Sequence, residues 1–373
     1  MTARRLKLFG SLDRYVARLF AMSYLSAFFL VVGVFLILDM ATNLDEYLEP
    51  GPGGETPVAM VVRYYAYQMP FLYLQVSPFV TLVAGLFVGV RMTKANEVVA
   101  ALGAGVSGQR LFAPLLAGAL LLALGMFSMR EWATSSLGQR RDALHDRLAE
   151  GRESPVLEDF WVRDAFGHAL RVEEYHPGVE GGGKGEATIL DLSSARLLSD
   201  DTSILLTADR ATWSPEKQQW SLTGGRLMEF GARKKRQSEV SGFTDLGITP
   251  SDVALAWKGR EQPLECSFSE CLRLLEREPR NARYRTLFHY HLSFPLAGIV
   301  LLAVGLPFVV GQERGRAHDR VAMGLVLCVF YFGLDFAART LGMAGQIGPI
   351  LASWLPVLFF GSLGVVLFGS MRS

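Results

Sequence analysis

Residues 64–90 read YYAYQMPFLYLQVSPFVTLVAGLFVGV, 27 positions without one Asp, Glu, Lys or Arg. A surface helix of a water-soluble domain buries one face and keeps charge on the other. This segment has no charged face to offer water. About 20 apolar residues cross the hydrocarbon core of a bilayer, so 64–90 reads as a membrane span. Five more charge-free stretches lie around it: 19–38, 111–129, 286–312, 321–334 and 340–371. All but 321–334 reach spanning length alone, and that one does so by running past Asp335 to Ala338. The chain has 373 residues, with 37 Lys and Arg against 36 Asp and Glu, and half of it is hydrophobic. Its mean hydropathy is +0.25. Balanced charge gives no basic excess for nucleic acid. Charge swept out of six long stretches excludes a soluble enzyme, a collagen-like chain and a disordered one. A cleaved signal peptide does not explain the first run, which is long and has five successors.

The spans split three and three. The expected organisation is 1–130 for the first three, 131–285 for an inserted domain of ordinary polarity, and 286–373 for the last three. In the insert Leu170 and Val172 alternate with Arg171 and Glu173. Ile189–Leu192, Ile204–Trp213 and Trp220–Phe230 are short strand-like runs, separated by Ser214-Pro215, Gly224-Gly225 and the glycine-rich 178–185. This spacing predicts a sandwich or a jelly roll. Glu131–Glu150 reads as a helical extension of the third span, and Ser267–Glu278 as a short amphipathic helix before the fourth. Gly85 and Gly89 form a Gly-x-x-x-Gly pair that permits close helix approach.

Basic residues in short loops mark the cytoplasmic side. Arg4, Arg5, Lys7, Arg14 and Arg18 precede the first span; Arg91, Lys94 and Arg110 follow the second; Arg314, Arg316 and Arg320 follow the fourth; Arg372 closes the chain. The opposite short loops offer Arg63 and Arg339, and 42–60 carries Asp45, Glu46, Glu49 and Glu55. The expectation is a multi-pass membrane protein with both termini cytoplasmic and the inserted domain outside.

Motifs for chemistry are sparse. Gly181-Gly182-Gly183-Lys184-Gly185 lacks the Ser/Thr that a P-loop needs after Lys and reads as a flexible loop, so no ATP hydrolysis by that route is expected of this chain. Cys266, Cys271 and Cys328 make neither a disulfide framework nor a zinc pattern. Cys266 and Cys271 fall on the outer side, where oxidation can join them, but spacing alone does not establish a bond. His289 and His291, at i and i+2, do not share a helix face and make a poor metal pair. No metal site or catalytic residue is expected. Either histidine is an interfacial side chain or the lone base of a membrane acyltransferase. Asp39 and Asp335 are the in-membrane carboxylates. Asp335 and Arg339 are four apart and pair on one helix face, either locally or as part of a polar path between helices. The Gly-x-Gly-Asp context of a membrane aspartyl protease is absent. Arg233-Lys234-Lys235-Arg236 is a solvated hairpin end or a contact for anionic head groups.

The most informative loop is Thr93–Gln109, TKANEVVAALGAGVSGQ. It is too long for a turn and too polar to span. Ala95–Leu102 holds good helix formers, Glu97 suits a first turn, and Gly103 and Gly105 end the run. Such a helix docks on a partner protein or lies on the membrane surface.

At this point the chain resembles the LptF/LptG (YjgP/YjgQ) permease family, the membrane half of the lipopolysaccharide-exporting ABC transporter. Leu12-Asp13-Arg14-Tyr15 leads into the first span, and Asn96–Ser107 is similar to the family's coupling segment. Tyr290–Leu296 through Leu306-Pro307-Phe308 is similar to its fourth span. Leu341–Pro349 with Ala352-Ser353-Trp354-Leu355-Pro356 resembles its closing signature, and the three-domain-three plan matches along the whole length. The resemblance implies six membrane helices with an inserted periplasmic β-jelly roll, here 151–262. It implies a second LptF/LptG-like chain, a cytoplasmic LptB-like ATPase using ATP and Mg, and an LptC/LptA-like periplasmic bridge. No cofactor is implied in this chain itself. The coupling residues would be Asn96, Glu97, Val98, Ala101, Leu102, Gly105 and Ser107. Arg63, Asp335, Arg339, Val162, Leu170, Val172, Ile189, Leu206 and Leu222 would be lipid-path candidates, the six apolar ones being equally readable as an ordinary sandwich core. Asp45, Glu46 and Glu49 stand where the family often carries Lys or Arg, so a partner chain supplies those cations or the lipid differs. The alternatives are a polytopic enzyme acting on lipid and a non-transporting scaffold.

Overall fold

The computed structural model describes residues 10–47, 57–149, 156–164, 167–178, 187–199, 202–231, 234–310 and 317–371. Arg4, Arg5, Lys7, Glu49, Glu55, Gly181–Gly185, Arg233, Arg314, Arg316 and Arg372 lie outside them. The chain divides into a helical unit (Met1–Asp45, Tyr67–Ala133 and Arg285–Ser373) and a second unit (Glu46–Ala66 and Thr134–Tyr284).

Six helical segments are long and apolar enough to cross a membrane: Ser11–Asn43, Val58–Lys94, Gly108–Thr134, Ala282–Phe308, Ala322–Met343 and Pro349–Ser370. The elements carrying them are α1 (Ser11–Tyr47), α2 (Pro57–Lys94), α4 (Gly108–Ala149), α7 (Ala282–Ser293) with α8 (Ala297–Val310), α9 (Ala317–Met343) and α10 (Pro349–Ser370); the short α3 (Glu97–Gly103) joins α2 to α4. The fourth span is interrupted by a 3-10 turn over Phe294–Leu296, where Pro295 has no N–H to continue the ladder. Small residues set the packing. A Cβ on Gly85 would meet Leu302, and one on Gly305 would sit 2.5 Å from Leu82. Gly298 faces Thr81 in the same way, at 3.3 Å. Missing side chains thus let α2 and α8 approach, with Gly85 of the expected Gly-x-x-x-Gly pair at one such contact. Val80, Leu82, Ala84, Leu301, Leu302, Val304 and Leu306 are sealed between them. Ser353 Oγ donates to Thr286 O at 2.8 Å, tying α10 to α7.

The second unit is built on one six-stranded antiparallel sheet, β1 (Leu157–Arg163), β2 (Ala169–His176), β3 (Thr188–Ser199), β4 (Thr202–Ser214), β5 (Gln219–Gly231) and β6 (Lys234–Thr244), with spatial order following chain order. Each strand pairs antiparallel with the one before it in the chain rather than across to a separate sheet. The β5–β6 register slips between Leu222 and Gly225. Gly224 takes φ +68° there, and a Cβ on Gly225 would strike the Val240 carbonyl oxygen. The strands stop at Thr244, short of the expected 262, because Thr249-Pro250-Ser251-Asp252 is a capping box with proline at the first helical position. It starts α5 (Pro250–Glu261), which packs against β1, and α6 (Phe268–Arg277) follows with Ser267 as its cap. Trp220 Nε1 donates to Ile248 O at 2.8 Å, and Tyr175 Oη to Pro250 O at 3.3 Å. The stretch from Leu246 to Val253 therefore covers the sheet's apolar face. Cys266 and Cys271 remain separate thiols, both fully buried. Cys266 Sγ lies 4.0 Å from Gln262 O and Cys271 Sγ 3.5 Å from Tyr284 O.

Candidate functional site

Two places in the helical unit gather polar side chains, and a third set of candidates lines the sheet. The first place surrounds α3. The chain leaves α2 through Asn96, a non-glycine residue at φ 57°. Asparagine tolerates that left-handed region better than most residues. Its carbonyl accepts from Ala100 N at 3.0 Å, and α3 begins at Glu97. Val98, 4% exposed, anchors the helix in the core shared with Val16, Leu19, Leu111 and Phe112. Ala101 and Leu102 pack partly against the same core. Val99 is 65% exposed and points away from it. Gly105, at φ +79°, turns the chain back, and Ser107 O accepts from Leu111 N as α4 starts.

Two distant segments, the start of α1 and the end of α10, brace this element and the start of α4. Tyr15 Oη donates to Glu97 Oε1 and Oε2 at 2.9 and 3.1 Å. Asp13 Oδ2 accepts from Gly10 N at 2.9 Å and from Arg110 Nη2 at 3.0 Å. Gln109 Nε2 donates to Phe368 O at 3.1 Å and Gly369 O at 3.2 Å, among the last carbonyls of α10. Sequence reading picked out Glu97 and its neighbours but missed Tyr15, Asp13, Arg110 and Gln109. The Leu12-Asp13-Arg14-Tyr15 motif was visible; what it touches was not.

The second place is the buried group of Asp335, Arg339, Tyr290 and Arg130. Arg339 Nη1 lies 3.6 Å from Asp335 Oδ2 and donates to Tyr290 Oη at 2.6 Å. The Arg339 guanidinium also sits 4.8 Å from the Tyr290 ring centre, and Arg130 lies 5.9 Å from that of Phe294. The i, i+4 pairing is as expected, and α7 supplies an aromatic partner that spacing could not reveal. Arg130 and the exposed Arg285 directly flank charge-free runs. They join Arg63 and Arg339 as basic residues at the ends of charge-free runs. Arg63, exposed on α2, belongs to the second unit. Asp39 accepts from Asn43 Nδ2 at 3.3 Å on α1. His291 is buried, its Nδ1 2.6 Å from Leu287 O.

The third set is apolar. Val162, Leu170, Val172, Ile189 and Leu222 are all buried, and Leu206 packs partly against them. Together with Phe160, Tyr175 and Trp220 they form the core beneath Ile248 and Val253. Among the described residues, no group of His, Cys, Asp and Glu is placed to hold a metal ion.

Curated proteins give no significant match to this chain. The family model of the lipopolysaccharide export system permease LptF/LptG matches residues 14–370. That span takes in all of the six apolar segments but the first three residues of the first, together with the short helix after α2 and the inserted sheet. The chain is a member of the LptF/LptG family of lipopolysaccharide export permeases.

Proposed function

We propose that this chain is one permease subunit of an ATP-driven exporter that lifts lipopolysaccharide, or a related glycolipid, out of the inner membrane. It pairs with a second LptF/LptG-like chain. An LptB-like ATPase binds on the cytoplasmic side, where both termini of the permease lie, and supplies ATP and Mg chemistry. The inserted sheet stands in the periplasm and hands lipid to an LptC/LptA-like bridge.

The observation that supports this reading is the construction of α3. A helix of seven residues is far below the length that is stable alone. Here Val98 buries it in the core, and Tyr15 holds Glu97. Arg110 and Gln109, just after it, are held to α1 and α10. Its outer surface, with Val99 and Ala100, is left exposed. A short helix fixed on one side and bare on the other can pass a push from a partner into three membrane helices. In this reading Asn96, Glu97, Val98, Ala101, Leu102, Gly105 and Ser107 form the coupling element. Arg63, Asp335 and Arg339 lie along the lipid route, and so do Val162, Leu170, Val172, Ile189, Leu206 and Leu222 once the Leu246–Val253 stretch moves aside. The test is co-purification from mild detergent. Wild type brings down an ATPase and a second six-span chain, and Glu97→Arg loses the ATPase. Intact assembly and lipid release in Glu97→Arg would defeat the reading.

A further inference from the structure

Glu97 is held by a residue 82 positions earlier: the Tyr15 hydroxyl donates to both carboxylate oxygens, at 2.9 and 3.1 Å. Tyr15 is itself on firm ground. Next to it on α1, Val16 is fully buried and Leu19 nearly so, in the core that also takes Val98. Two residues before it, Asp13 pairs with Arg110 at 3.0 Å. The hydroxyl and the backbone of Glu97 are therefore both tied to one packed core. An exposed glutamate otherwise samples many rotamers, and fixing such a side chain on association is costly. A carboxylate offers about four lone-pair sites, so one shared O–H leaves both oxygens able to accept from a second donor.

We infer that Tyr15 is a positioning residue of the coupling site. It presents the Glu97 carboxylate in one orientation to a cationic side chain of the partner ATPase. Val99, exposed beside it, meets an apolar surface on the same partner. The inference rests on the coupling role given to α3 above and adds a residue outside the loop that joins the second and third spans. Tyr15→Phe removes one partly exposed hydroxyl and leaves the ring in place, so the fold is retained.

The experiment is a double-mutant cycle. The full-length chain in lipid nanodiscs is titrated with an LptB-type ATPase purified from the same organism. Tyr15→Phe is expected to weaken binding about three- to tenfold, the scale of one side chain that must be immobilised. Its melting temperature is expected to stay at the wild-type value. Glu97→Gln should weaken binding further, and the double variant should bind as Glu97→Gln alone does, because Tyr15 has no charged group left to orient. If Glu97→Gln binds weakly while Tyr15→Phe binds as wild type, the positioning role fails and the coupling reading stands. If the two losses multiply in the double variant, Tyr15 acts independently of Glu97 and the inference is again wrong. If Glu97→Gln binds as wild type, the coupling reading itself falls and takes the inference with it.

Discussion

The two units turn their apolar residues in opposite directions. Along β1, Leu157, Phe160 and Val162 are buried while Glu158, Asp159 and Arg163 face out. In the helical unit Phe29, Leu121, Val329 and Val365 are each about 70% exposed. The sheet gains from taking apolar surface out of water. Helices in lipid gain little from hiding such side chains, since the surroundings are equally apolar, and depend on close packing through small residues and on interhelical polar contacts. The spans also differ among themselves: 67% of the apolar window of Ala282–Phe308 is buried, against 11% of that of Ser11–Asn43. Burial therefore identifies the core of the β unit, whereas close approach of backbones identifies the core of the helical one.

The sharpest way to break this contrast is Trp220→Ala. The side chain is fully buried and its Nε1 bonds Ile248 O, so the loss should be about 3–5 kcal/mol in chemical denaturation. A loss under 1 kcal/mol would mean that the sheet face is not a tight core. Next come two glycines. Gly225→Ala sets a methyl against the Val240 backbone carbonyl, which cannot step aside without opening β5–β6. A cost of roughly 1–3 kcal/mol is expected in thermal unfolding. Gly85→Ala meets the end of the Leu302 side chain, which can rotate, and should cost less. The reverse ranking would place the rigid contact in the membrane.

The thiols give a pH-dependent effect with a definite sign. Burial pushes Cys266 and Cys271 up from 9.0 to about 12. Both are protonated in folded and unfolded chains below pH 9.0, where this contribution is fully present. Above it the unfolded chain ionises first, so stability falls as pH rises toward about 12, at about 1 kcal/mol per thiol per pH unit. Denaturation at pH 8 and pH 10 measures the loss, and Cys266→Ala with Cys271→Ala should flatten it. The smallest effect belongs to Phe29→Ala on the exposed face of α1, within about 0.5 kcal/mol in detergent. A loss comparable to that of Trp220→Ala would show that this face is covered in the folded chain.

What the sequence revealed follows from the same contrast. Lipid imposes a long charge-free run on each crossing, and each of the six runs carries a membrane-length helical segment or part of one here, the run 340–371 also taking in the turn between α9 and α10. The run from Glu131 is the expected continuation of the third span, since α4 extends to Ala149. Ser267 and Glu278 bound α6 as expected. α5 was missed although its capping box stands in plain letters, because the strand runs end at Phe230 and the resemblance places 151–262 as a whole in the jelly roll. The strand order was not legible, since alternation says which face is buried and nothing about which strand lies alongside. Around α3, local composition disclosed the helix itself, whereas Tyr15 with Glu97 and Asp13 with Arg110 are separated by 82 and 97 residues. No local period encodes such a meeting. The six apolar lipid-path candidates were found for the reason any core is found, so their pattern cannot tell a lipid conduit from a sandwich interior.

The cover over the sheet has an energetic consequence. Because Ile248 and Val253 already occupy the greasy side of the strands, that side is dry even when nothing is carried. An acyl tail arriving there would swap one nonaqueous neighbour for another instead of escaping from water, so little free energy would separate the loaded from the vacant form. In the transport role proposed above, such a surface would favour rapid handover over tight retention.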